Sequence, residues 1–235
     1  AATLRAARAA REALVTDKKN TPMLVSKINS TVLKEETEYD LYLWLTDIDG
    51  AKSSAVKKLT GKAALVVGPG LKTGLNIRLE NPSQTGADLV VGCVAALREH
   101  KPPMIVVDMG TATTMVVLDE TGALIGGCIA PGVKISMDAL TGKTALLPGL
   151  QLDKPKKVIG SNTNDAMRSG VMLGAACMID GMIQRMEAEL GQKATVVVTG
   201  GIAKFVIPMC RTPMIYDEHL LLKGLVYLYR ENTHG

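Results

Sequence analysis

Aromatic side chains are scarce in this chain of 235 residues: they make up 3%, with one Trp, one Phe and five Tyr. Single-stranded nucleic acid is held by stacked rings, and too few are present to build such a platform. Long blocks of one charge are missing as well. The formal net charge of +4 is dispersed in pairs such as Lys18-Lys19, Lys57-Lys58 and Lys156-Lys157. No nucleic-acid partner is expected, and a weak attraction for small anions is the more economical reading. No apolar run approaches the ~20 residues of a membrane span, and the first residues lack the apolar core of a signal peptide. A cytoplasmic protein without a membrane partner is expected. Cys93, Cys128, Cys177 and Cys210 form no C-x-x-C pair, so neither a zinc site nor a redox motif is indicated. His100, His219 and His234 are equally scattered.

What is present is an ample supply of core-forming residues, 47% hydrophobic, enough for one sizeable core or two small ones. The stretch from Met104 to Gly132 organises the rest. Met104 to Val107 is a short apolar run and reads as a buried strand. Asp108 closes it, and Gly110-Thr111-Ala112-Thr113 follows as a tight turn of the kind that can aim amides and hydroxyls at an anion. Thr114 to Leu118 reads as a second strand, Asp119 to Gly122 as a hairpin turn, and Ala123 to Ile129 as a third strand ending at Pro131-Gly132. On these residues alone, a phosphate-binding hairpin and an ordinary β-meander with a polar turn are both open.

Around this centre, residues 1–15, rich in Ala and Arg, predict a helix. Thr37 is placed as the cap of a short helix to Leu45, and Ala63 to Val67 as a strand closed by Gly68-Pro69-Gly70. Ser53 or Ser54 is placed at the start of a brief helix to Leu59. Gly86-Ala87-Asp88 opens a helix to about Arg98, where a carboxylate is favoured by the helix dipole. Lys134 to Leu140 reads as a helix, Asn164 to Leu190 as a long helix capped from Ser161-Asn162-Thr163, and Tyr216 to Arg230 as a last one. Thr195 to Val198 is a strand running into Thr199-Gly200-Gly201. Gly142-Lys143-Thr144 is not a P-loop, because Met137 stands where that motif needs its first glycine. Strands alternating with helices, with no repeat, imply an α/β fold divided near residue 100.

With these pieces in place, the chain resembles the type III pantothenate kinases. The resemblance rests on Gly68 to Asn81, Gly86-Ala87-Asp88, Val107 to Thr114, Gly126 to Ser136, Leu147-Pro148, Val158 to Thr163 and Thr199-Gly200-Gly201. It implies two ribonuclease-H-like halves of the actin-like ATPase type with a nucleotide cleft between them, residues 1–100 as a shortened, atypical first half and 101–235 as the second. It also implies ATP-dependent phosphorylation of pantothenate to 4'-phosphopantothenate, the first step of coenzyme A biosynthesis, by a homodimer. By the same resemblance Asp88 is the catalytic base, and Gly86, Ala87, Asp88, Leu89 and Thr163 contact pantothenate. Gly110 and Thr111 contact ATP phosphate, Gly200 and Gly201 lie near adenosine, and Asp108 binds a monovalent cation, potassium or ammonium. Magnesium is expected to accompany ATP.

The chain departs from the family at three places. The expected Asp-x-Gly-Asn-Thr turn near the start is represented only by Asp17-Lys18-Lys19-Asn20-Thr21, with Lys19 in the glycine's place. Leu89 stands where arginine is common, and Leu79 where tyrosine is. A catalytically impaired relative that binds ligand or regulates is therefore the alternative reading.

Overall fold

The structure is a computed structural model describing residues 65–68, 70–142 and 152–233, together with the backbone of three strands between residues 12 and 44. The helix expected at Ser53–Leu59 and the Leu147-Pro148 motif lie outside the described residues. The chain divides into two compact units, 1–73 with 221–235, and 74–220. The halves expected at 1–100 and 101–235 are a different division, one that follows the sequence pattern.

The first unit contains β1 (Glu12–Asp17), β2 (Pro22–Val25) and β3 (Tyr39–Trp44) in the order β2-β1-β3, both pairings antiparallel. This corrects the helices expected at residues 1–15 and 37–45 over their described parts, 12–15 and 39–44. The register sets Leu14 opposite Tyr42 and Val15 opposite Leu41, so pairing between β-branched, aromatic and leucine positions outweighs the helix preference of the neighbouring alanines. The same unit holds the loop before residue 73, where Asn232 donates to the Lys72 carbonyl at 2.8 Å and accepts from the Lys72 N–H at 3.2 Å. Leu65 to Val67, expected at the end of a strand, has no strand pairing, and Val66 is 65% exposed. An exposed position gains nothing from burial, and the apolar composition alone does not make a strand.

The second unit is built on a five-stranded sheet in the order β6-β5-β4-β7-β8, the ribonuclease-H-like arrangement. Its strands are β4 (Met104–Met109), β5 (Ala112–Leu118), β6 (Leu124–Pro131), β7 (Thr195–Thr199) and β8 (Ile215–Tyr216). β4, β5 and β6 form an antiparallel meander with an irregularity at Val117/Leu118, while β7 runs parallel to β4 and β8 to β7. Met104 to Val107 is buried on both faces of β4. Each such side chain contributes about 1.5–3 kcal/mol relative to exposure, which fixes the strand at the centre.

Alternation divides the sheet's two faces. Ile105, Val107, Met109, Met115, Val117, Val196 and Val198 pack against α2 (Val133–Gly142) and a long helical segment behind it. That segment is α3 (Thr163–Arg168), a π-turn (Ser169–Leu173) and α4 (Gly174–Leu190), so the expected long helix is present with one wide turn inserted. Residues 163–190 are long and apolar enough to cross a membrane, against the expectation of no such run. Their buried residues, among them Met172, Ala176, Ile179 and Ile183, sit in the core instead.

Behind the opposite face lies α1 (Ala87–Glu99), which contacts β4. Its Leu97 reaches the β5–β6 turn at Gly122, whose φ of +79° only glycine adopts readily. After β7 come α5 (Ala203–Val206), a 3-10 turn and β8, so Tyr216, expected in a helix, is in a strand. The Asp217 N–H continues that strand's attachment, donating to the Val198 carbonyl at 2.8 Å, and α6 (Leu220–Thr233) starts beyond it.

Candidate functional site

β4 delivers Asp108 to the C-terminal end of the sheet's central strand. It faces Thr114 across the antiparallel pair with β5 and Thr199 across the parallel pair with β7. The Gly110 N–H donates to the Ala112 carbonyl at 3.0 Å and closes the turn. Gly132 locks it from the side: its N–H donates to the Thr111 carbonyl at 3.1 Å, and a side chain there would collide with the backbone of Gly110 and Thr111. Thr111 is exposed at the tip.

From the other side, Gly200 has φ +99° and lies against the Met109 carbonyl and the Asp108 carboxylate. The Ile202 N–H donates to the same Met109 carbonyl at 3.2 Å. Asp108, Gly110, Thr111 and Gly200 are therefore brought together, while Gly201 is exposed with open space around it. The local donors are carboxylate, hydroxyl and carbonyl oxygens, a set that suits a hard cation. Among the described residues no three His, Cys, Asp or Glu side chains cluster as a metal site.

A second group forms where α1 begins. Gly86 is its N-cap, and the Asp88 carboxylate folds back over Gly86 and accepts from the Leu89 N–H at 2.8 Å. Asp88 is exposed. Beside it, a half-open cavity of about 340 Å³ is bordered by the segment 79–89 and by β5 and β6. Gly86 and Leu89 line it; Ala87 and Asp88 do not, and Thr163, exposed at the start of α3, does not.

Thr114 connects the two groups. It lines the cavity and stands directly opposite Asp108, and such pairs have Cα atoms about 4.5–5.5 Å apart. The cavity thus adjoins the Asp108 turn across one strand pair. The hydroxyls of Thr114 and Thr85, both at the cavity, are buried and have no hydrogen-bond partner among the described residues. A buried polar atom left so costs about 1–3 kcal/mol. Sequence reasoning gives neither threonine a role; Thr114 enters only as the last residue of the Val107 to Thr114 motif and the first of a strand.

The supports of this region are polar and well satisfied. Asp119 Oδ1 accepts from the Thr121 hydroxyl at 2.6 Å and from the Thr121 and Ala123 N–H groups at 2.9 Å each, while Arg78 reaches Oδ2 at 3.1 Å. The Thr121 hydroxyl, above all, holds the Asp119 carboxyl below its ordinary value; burial works against it, and the two N–H groups and Arg78 assist. On α4, burial would raise the Asp180 carboxyl, but the Thr212 and Arg211 N–H groups, at 2.9 and 2.8 Å, outweigh it and the value falls. Burial pushes Cys93 up to about 12 and, with Asp180 and Cys177 adding to it, Cys210 to about 12. Both thiols are held in the protonated form.

The sequence profile described as type III pantothenate kinase matches residues 10–185. A type III pantothenate kinase from Halalkalibacterium halodurans is 41% identical over 203 residues, 81% of this chain and 80% of that protein. One from Bacillus cytotoxicus is 44% identical over 169 residues, 72% of this chain and 64% of that protein. Among solved structures, a Campylobacter jejuni protein described as a conserved Baf family transcriptional activator aligns with a TM-score of 0.56 at 18% identity, over 84% of this chain and 92% of that one. At that identity the likeness speaks for the fold alone.

Proposed function

Because the chain belongs to the type III pantothenate kinase family, we propose that its described groups divide the family's reaction between them, Asp108 and its turn holding ATP phosphate and the α1 start holding pantothenate. The reaction is ATP-dependent phosphorylation of pantothenate, the entry to coenzyme A biosynthesis. The bond from the γ-phosphorus to the ADP oxygen breaks, and a bond from the pantothenate hydroxyl oxygen to phosphorus forms. The hydroxyl proton passes to the Asp88 carboxylate. A protein has little covalent work to do in such a transfer; it must align the partners and compensate charge.

The observation that carries this division is the place of Thr114, next to Asp108 on one side and in the cavity wall on the other. Gly86, Ala87, Asp88 and Leu89 form the pantothenate end, with Thr163 as a further contact. Gly110 and Thr111 take the phosphates; Gly200 shapes their turn, and Gly201 lies toward the adenosine. Asp108 holds a potassium or ammonium ion, and magnesium accompanies ATP; bound there, these ions neutralise phosphate charge. The enzyme acts in the cytoplasm as a homodimer, packed through the exposed small residues Gly170, Gly174 and Cys177. A coupled ADP-release assay with pantothenate as the varied substrate tests the reading. ATP turnover indifferent to pantothenate would overturn it.

A catalytically impaired relative is favoured by one observation, Lys19 in place of the first turn's glycine. β1 ends at Asp17 and β2 begins at Pro22, so Asp17-Lys18-Lys19-Asn20-Thr21 joins two paired strands. That placement replaces the earlier expectation of a helix leading into it, and supports the string as the first turn's counterpart.

A further inference from the structure

We propose that α5 and the end of β8 form the seat of the nucleobase, with the Phe205 ring as the stacking surface and the Lys204 ammonium as the group the base displaces. The inference deepens, and rests on, the reading of the Asp108 turn as the place where ATP phosphate is held. The chain contains one Phe. It is 41% exposed on α5, while Ala203 and Val206 of the same short helix are buried in the core. Lys204 holds its ammonium over this ring, 5.3 Å from the ring centre.

The placement of the ring follows from its neighbours in the chain. Gly200 touches the Asp108 carboxylate, and Gly201, with open space around it, puts no side chain between that turn and α5. A second ring borders the same region. Tyr216 pairs with Val198, and paired strand residues share a face of the sheet. Val198 belongs to one core cluster with Ala203 and Val206, so Tyr216 is on the face that carries α5. Because β4, β7 and β8 are adjacent and parallel, Asp108 and Tyr216 lie on one edge of the sheet, about 10 Å apart at two strand spacings. This carboxyl edge is where open α/β sheets take their ligands.

Magnitudes decide which partner the Phe205 ring keeps. An ammonium over an exposed ring is worth a factor of about two to five. A stacked base is worth about five to 150. A base tethered to phosphate at the Asp108 turn therefore takes the exposed face of the ring, and the flexible lysine side chain swings into water.

The test is calorimetric titration of the full chain, with magnesium, using a non-hydrolysable ATP analogue and inorganic tripolyphosphate, which has the phosphates and no base. The ratio of the two affinities isolates the nucleoside. Phe205→Ala is expected to lower that ratio about tenfold or more, Phe205→Trp to restore it, and tripolyphosphate binding to be the same in both variants and the parent. Lys204→Ala is expected to raise the ratio about two- to fivefold, because the ring loses a competitor. An unchanged ratio in Phe205→Ala, with both ligands bound, overturns this proposal and leaves the phosphate reading standing. A Lys204→Ala variant that binds both ligands more weakly at a constant ratio makes the lysine a phosphate ligand and also overturns it. Binding of neither ligand by the parent sinks the phosphate reading and this one with it.

Discussion

Gly200 and Asp108 are in contact: a methyl carbon built on Gly200 would stand 2.7 Å from a carboxylate oxygen of Asp108 and 2.5 Å from the Met109 carbonyl oxygen. The pair sets the loop after β7 against the turn after β4, so the Asp108 turn has a wall as well as a floor. Gly200→Ala is expected to distort both. The positive φ alone costs about 1–3 kcal/mol for a residue with a side chain, and the collision displaces Asp108. A lowered thermal midpoint together with lost kinase turnover checks this; unchanged values in both would show that the contact is slack.

Asp88→Asn removes the proposed proton acceptor while keeping its size and its ability to accept from the Leu89 N–H. Turnover should fall by roughly 100- to 10,000-fold, with nucleotide affinity nearly constant. Steady-state kinetics beside nucleotide titration separates the two, and turnover within a factor of two of the parent removes Asp88 from the role.

The Asp119 network sets a pH dependence. Its carboxyl is held below its ordinary value in the folded protein, so the charged form is favoured by folding. The stability it contributes is complete above the unfolded-state value and is lost as pH falls through the folded one. Asp119→Asn should therefore lower the thermal midpoint by several degrees near neutrality, and the gap from the parent should narrow below about pH 4. A gap that is constant with pH would mean that charge plays no part.

Lys19→Gly is expected to raise kinase turnover, because it restores the glycine of the Asp-x-Gly-Asn-Thr turn that Asp17-Lys18-Lys19-Asn20-Thr21 resembles. Each tenfold gain corresponds to about 1.36 kcal/mol of better positioning in the transition state. High turnover in the parent, unaffected by changing Asp17, Asn20 and Thr21 to alanine, would make that turn dispensable here.

The second unit is legible in the sequence because its signals are local and consistent. An unbroken apolar run ending in Asp108, a Gly122 turn and glycines at fixed distances each specify one backbone course. The first unit is not, because Ala and Arg before Leu14 favour a helix while the decisive interaction, pairing of Val15 with Leu41, joins residues far apart. The Asp108 turn follows from an apolar run, an acid and a glycine in succession. The cavity does not, since Thr85 and Thr114 are distinguished by what they fail to bond, a property no sequence pattern carries. Tyr216 reads as helical for a similar reason: two residues of edge strand are too few to leave a period.

The wide turn at Ser169–Leu173 has a rotational consequence. Successive residues of an α-helix advance by about 100° around its axis, and a π-turn accommodates one residue beyond what that spiral needs. Everything before Ser169 is thereby swung by roughly that angle relative to Ile179 and Ile183, which stay seated in the core. Ser169 uses the offset to donate its hydroxyl to the Val158 carbonyl at 2.6 Å, and Asn162 and Thr163 take their bearing from it. Deleting a single residue within the turn would straighten the helix without unseating its downstream half, and would aim Thr163 more than a quarter-circle away. Length in this segment is a setting of direction.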